Sequence, residues 1–94
     1  RDIVLLADRE TTILASSRTA RAHFGQIVTP GAPVDTITPP PSRALLAGAM
    51  RRVGNSGIGE SLTLPSAARA GRMLALRIEP IGDGTGIFAE DVTP

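Results

Sequence analysis

The chain opens with two short β-rich apolar runs and closes with three stretches in which apolar and polar positions alternate; helical spacing is confined to the middle. Ile3-Val4-Leu5-Leu6-Ala7 is closed by the polar cluster Asp8-Arg9-Glu10, and Thr11-Thr12-Ile13-Leu14-Ala15 follows, which predicts two strands joined by a tight turn. Ser16-Ser17 precede Arg18-Thr19-Ala20-Arg21-Ala22-His23-Phe24, where Ala20 and Phe24 share a face at i, i+4. This predicts a short helix with Ser17 as its cap and Gly25 as its left-handed C-terminal residue.

From Gln26 to Pro41 the chain is rich in Pro and Thr. Pro30-Gly31 suits a type II turn, Val34 to Ile37 allow one helical turn at most, and Pro39-Pro40-Pro41 form a stiff extended approach. Ser42 is then expected to cap the clearest helix, in which Leu45, Leu46, Ala49, Met50 and Val53 repeat at helical spacing while Arg43, Arg51 and Arg52 lie elsewhere. Gly54-Asn55-Ser56-Gly57 ends it.

In the last third, Leu62 and Leu64 alternate with Ser61 and Thr63, Leu74, Leu76 and Ile78 alternate with Met73, Ala75, Arg77 and Glu79, and Ile87 to Val92 forms a third run. Pro65 to Gly71 and Gly82-Asp83-Gly84 read as hairpin connections. Period-two alternation predicts an antiparallel sheet with one covered face. Two strands, a helical middle and three strands make an α+β arrangement, with a helix over one face of a single sheet.

Composition narrows the function classes. The 94 residues support a single domain spanning 1–94, and a chain of this size buries roughly 60–65% of its unfolded surface. No apolar run approaches the roughly 18 residues that cross a bilayer, so direct membrane insertion is not expected. All ten basic residues are arginines, interleaved with nine acids for a formal charge of +1. The only aromatics are Phe24 and Phe88, too few for the stacking platforms of single-strand binding, and this argues against nucleic acid as a partner. Without cysteine there is no disulfide, thiolate nucleophile or cysteine metal cluster.

Three segments in order resemble the PAS domain family. Ile13-Leu14-Ala15-Ser16-Ser17-Arg18-Thr19-Ala20-Arg21-Ala22-His23-Phe24-Gly25 is similar to the family's second strand and first helix, with Ser17 where many members carry Asn. Leu74-Ala75-Leu76-Arg77-Ile78-Glu79-Pro80-Ile81 resembles its fourth strand, and Glu90-Asp91-Val92-Thr93 its Asp-Ile-Thr exit motif. The resemblance implies a five-stranded antiparallel sheet with short helices and one longer helix covering one face. It further implies a ligand pocket between that helix and the sheet, with Leu45, Leu46, Ala49, Met50, Val53, Leu74, Leu76 and Arg77 as lining candidates. Arg77, Ser61 and Thr63 are its polar members.

The resemblance also implies a job: a cytoplasmic sensory or relay module, cut from a larger signalling protein such as a bacterial two-component sensor histidine kinase. Asp91 and Thr93 are its candidate signal-transmission residues. Thr93 as an N-cap followed by Pro94 predicts that an output helix starts where the chain stops. Such relatives pair through the outer sheet face and a helix before the first strand; here strand residues begin by Ile3, so a homodimer is expected of the parent protein more than of this chain. The competing class is a ligand-free structural domain that only pairs protomers or recruits a partner.

Other chemistry is thinly represented. His23, the sole histidine, lies on the short helix, whereas haem-binding relatives place theirs on the long one, and a methionine on an apolar helical face, such as Met50, is ordinarily a gap-filler. The adduct flavins of light-sensing relatives need a cysteine. The sequence therefore names no cofactor and argues against haem and cysteine-adduct flavin. Gly54 to Glu60 lacks a Gly-Lys-Ser/Thr ending and leads from helix to strand, the reverse of a phosphate loop. There is no Gly-x-Ser-x-Gly elbow, and Glu90 and Asp91 fall on opposite faces of a strand, so no catalytic or metal-binding residues are assigned. The purified domain is expected to be colourless, and stoichiometric visible absorption by haem or flavin would contradict this reading.

Overall fold

The structure, a computed structural model, describes residues 2–93. Five strands, β1 (Ile3–Ala7), β2 (Ile13–Ser16), β3 (Glu60–Pro65), β4 (Met73–Ile81) and β5 (Gly84–Asp91), form one antiparallel sheet in the order β2-β1-β5-β4-β3. Helix α1 (Arg18–Phe24), two single 3-10 turns (Gly25–Val28 and Val34–Ile37) and helix α2 (Pro40–Ser56) occupy the stretch between β2 and β3. The expected α+β fold class is the observed one.

The alternation decides which face is covered. Leu5, Ile87, Ile78, Leu76, Leu74 and Leu64 project to one side and are buried, joined from above by Phe24, Val28, Val34 and Ile37. From α2, the stripe Leu46, Ala49, Met50 and Val53 completes this core. Leu46 is fully buried at its centre.

Element ends differ from the sequence reading for local reasons. β2 starts at Ile13 because Thr11 takes φ 62, a left-handed conformation that a β-branched residue adopts only under constraint. The constraint is Asp8, whose Oδ1 accepts the backbone N–H groups of Glu10 and Thr12 at 3.0 and 2.9 Å. Ser42 does not cap α2. The helix starts three residues earlier than that cap would give, with Pro39 at the cap position, and Pro40 and Pro41 fill its first turn, where missing N–H groups leave no bond unmade. At the other end Gly54, Asn55 and Ser56 continue the helix, and Gly57 stops it at φ 72.

The outer edge of β2 is occupied: Ile13 donates to the carbonyl of Ala32 and accepts from Gly31, Val34 donates to Thr11, and Thr12 bridges Pro33. At the start of β5, Gly84 sits so close to β1 that a Cβ would stand 2.0 Å from the carbonyl oxygen of Ala7. No other residue fits this crossing. Beside it, Thr85 is 6% exposed and its hydroxyl is buried without a partner among the described residues, a condition that costs about 1–3 kcal/mol.

Leu46→Ala is expected to destabilise the domain by about 2–5 kcal/mol, read as a lowered urea midpoint. An unchanged midpoint would contradict the placement of Leu46 at the centre of the core.

Candidate functional site

The eight lining candidates divide into two groups. Leu46, Ala49, Met50, Val53, Leu74 and Leu76 do meet between α2 and the sheet, as members of the continuous core. Leu45 does not: one residue before Leu46, it is turned about 100° away around the helix and is 62% exposed. Arg77 lies on the opposite face of the sheet. Its guanidinium sits 4.8 Å from the centroid of the Phe88 ring and its Nε lies 3.3 Å from Glu79. Ser61 and Thr63, expected beside Arg77, do share a depression of about 370 Å³ with it, on that outer face and away from the helix. The alternation that buries Leu76 and Ile78 necessarily turns Arg77 outward.

Ser17 caps α1 as expected, and does more. Its Oγ accepts the N–H of Ala20 at 3.1 Å and that of Val4 at 3.0 Å, while its own N–H donates to the carbonyl of Val4 at 2.9 Å. One hydroxyl thus ties the helix start to β1. Arg52, which the helical spacing puts off the apolar stripe, makes a two-pronged ion pair with Glu60, with Nε–Oε2 and Nη2–Oε1 both at 2.9 Å, joining the end of α2 to the start of β3.

At the exit of β5 the two signal-transmission candidates act together. Asp91 Oδ1 accepts both the backbone N–H of Thr93 at 3.0 Å and its hydroxyl at 2.6 Å. These bonds hold the Asp91 carboxyl below its ordinary range, with Arg72, 3.6 Å away, a lesser contributor. The Thr93 hydroxyl in turn accepts the N–H of Met73, the first residue of β4, at 2.9 Å. The sequence reading gave this hydroxyl to the first N–H groups of a following helix; its acceptor role here is spent on β4, and Pro94 lies outside the described residues.

Sequence reasoning missed one group at this end. His23 Nε2 and Ser66 Oγ share a 2.9 Å hydrogen bond across 43 positions, joining α1 to the loop between β3 and β4, and no local pattern signals such a contact. Burial of the ring, followed by the charge of Arg69, holds the imidazole below its ordinary 6.5; Asp91 opposes this and Arg72 adds to it. Among the described residues no three His, Asp or Glu side chains gather as a metal site, and no helix is long and apolar enough to cross a membrane.

No family model matches the chain, and no curated protein matches it in sequence. Solved structures do match. The PAS domain of a Colwellia psychrerythraea protein superposes with a TM-score of 0.81 at 17% identity, over 98% of this chain and 86% of that one. The PAS domain of the Cronobacter turicensis quorum-sensing receptor RpfR, solved in complex with BDSF, gives 0.84 at 18% identity, over 98% and 94%. A sensory box sensor histidine kinase from Vibrio cholerae gives 0.74 at 13% identity, over 99% and 80%. What is shared at such identities is the fold.

A lowered imidazole pKa means that the unfolded chain takes up the proton more readily than the folded one, so the His23 contribution is complete above 6.5 and is lost as pH falls from there through the folded value. The urea midpoint is expected to drop across that window. His23→Gln, which keeps a hydrogen-bonding side chain near Ser66, is expected to flatten the drop, and an unchanged pH profile would contradict the assignment.

Proposed function

We propose, for a chain with the fold of a PAS domain, that residues 1–94 form one sensory or relay module, itself non-catalytic, that regulates an attached output domain in the cytoplasm. The observation that carries this reading is the clamp at the end of β5. That strand runs between β1 and β4 and leaves the sheet through Asp91 and Thr93, whose bonds to each other and to Met73 fix the direction in which the chain departs. A shift of β5 within the sheet is thereby passed to whatever follows. The Vibrio histidine kinase supports a kinase as the output domain, and the ligand-bound Cronobacter domain supports a small molecule as the input.

A second reading, a ligand-free domain for protein interaction or homodimerisation, is favoured by the outer sheet face, where Leu6, Leu14 and Ile81 are 37%, 57% and 44% exposed. Mass spectrometry of small molecules released from the purified domain separates the two.

Asp91→Ala and Thr93→Ala in the full-length parent are expected to shift basal output or signal response by about two- to tenfold, the scale of one lost hydrogen bond in a two-state equilibrium, while the domain stays folded. Unaltered output and response in both variants at matched expression would overturn the transmission role.

A further inference from the structure

The surroundings of Ser66 fix the direction of its hydrogen bond with His23. Ser66 is 4% exposed, so its hydroxyl finds its partners inside the protein. The oxygen accepts the backbone N–H of Ala68 at 3.1 Å and lies 2.9 Å from His23 Nε2. Among the described residues no other acceptor stands within hydrogen-bond distance of this hydroxyl. Its proton therefore points at the ring: Nε2 accepts, and the proton of the neutral imidazole sits on Nδ1. With Nε2 donating instead, a buried O–H would be left without an acceptor, the costlier arrangement.

A ring bonded in this way cannot keep the bond when it takes up a proton. An imidazolium has two N–H donors and no acceptor, so the Ser66 hydroxyl loses the one group to which it donates. Nearby charge does little to offset that loss. Arg69 and Arg72 act on the ring from the loop between β3 and β4, and Asp91 acts from the end of β5. Arg18 and Arg21 share its helix, while β1 and the 3-10 turn Gly25–Val28, which also pack on α1, carry no ionisable side chain. Of the charges acting on the ring from other elements, Asp91 alone favours the protonated form.

The loop that holds Ser66 also holds the exit of β5. The N–H of Ser66 donates to the carbonyl of Arg72 at 2.9 Å, closing the loop at its base. Arg72 pairs with Asp91 at 3.6 Å, and the next residue, Met73, donates to the Thr93 hydroxyl at 2.9 Å. On the helix side, Phe24 is buried and meets the imidazole edge-on, with ring centroids 4.6 Å apart, which anchors His23 to the core. We propose that the His23–Ser66 bond is a proton-operated latch: a neutral ring holds α1 to the β3–β4 loop, and protonation of the ring releases that loop and loosens the Asp91–Thr93 clamp attached to it. The loop keeps its bonds from Ala67 to the carbonyl of Ile37 and from the Thr38 hydroxyl to the carbonyl of Pro65, so the release is local. The proposal rests on the reading of the domain as a sensory or relay module and adds acidification to its inputs.

Nuclear magnetic resonance of the isotopically labelled 94-residue chain tests it, with pH lowered from about 8 to about 5 across the ordinary histidine range. At the upper end the ring is expected to carry its proton on Nδ1; the Nε2–H tautomer would overturn the proposal. As the ring titrates, with a midpoint below 6.5, the backbone amides of Ala68, Met73 and Thr93 are expected to shift with the same midpoint. Asp91, whose carboxyl is held below its ordinary range, stays ionised throughout and contributes no shift of its own. Met73 and Thr93 amides that ignore the titration of the ring would overturn the proposal. Ser66→Ala keeps the ring and removes the bond. It is expected to raise the midpoint of the ring, because a bond that requires the neutral form is gone, and to erase the Met73 and Thr93 shifts. A lowered or unchanged midpoint, or shifts that persist, would overturn the proposal. His23→Gln supplies the same control should Ser66→Ala not fold: the three amides are expected to hold still over this range, and shifts of the original size would overturn the latch. Every readout lies in the domain itself, so failure here leaves the transmission role of β5 to be judged on the output of the Asp91 and Thr93 variants.

Discussion

The pairing of the first strand with the last holds this molecule together. β1 meets β5 from Ile3 opposite Ala89 to Ala7 opposite Thr85, so the sheet is one piece only once the two ends of the chain are side by side. Everything between them is a closed excursion, and the core that α2 covers draws on both halves of the sheet that this pairing joins. The entropic cost of closing so long a loop grows only slowly with its length, which is why a 94-residue chain can place its last strand at the centre. The close crossing of Gly84 over Ala7 shows how little tolerance the junction has.

Most of this architecture was legible before any coordinates, because side-chain periodicity reports which face an element covers. Leu46, Ala49, Met50 and Val53 read as a buried stripe and are one. Leu45 read the same way and is not, since an apolar residue at the margin of a stripe carries no mark of which way it turns. Arg77 was misplaced for a related reason: a family likeness locates a strand, while the pleat decides to which side each of its residues points. The start of α2 was missed because prolines look like helix breakers until their place in the first turn is known. Contacts between distant positions, His23 with Ser66 and Thr93 with Met73, have no signature in local pattern at all. The unpartnered hydroxyl of Thr85 is likewise visible only once its neighbours are in place.

The two ends of the sheet differ in chemistry although one strand connects them. At the Asp91 end polar groups are mutually satisfied, through Thr93, Met73 and Arg72. At the Gly84 end Arg9, Glu10, Arg51 and Asp83 are exposed, and none of them belongs to an ion pair among the described residues. On the proposed reading, β5, hydrogen-bonded on both sides, would carry a displacement at one end to the other. The contrast is between an end whose polar groups are tied to one another and an end whose charged groups are left to solvent.

The loop laid along β2 has a consequence for self-association. A sheet with two free edges can add strands on both sides and grow without limit, as fibrils do. Here the segment from Gly31 to Val34 already takes up the hydrogen-bonding positions of Thr11 to Ile13 at the start of β2, so the β2 edge offers less open backbone than the β3 edge. Edge-to-edge contact between copies is thereby disfavoured at the start of β2. One short loop thus narrows the backbone that strand addition could use at this edge, whatever the side chains on the faces of the sheet.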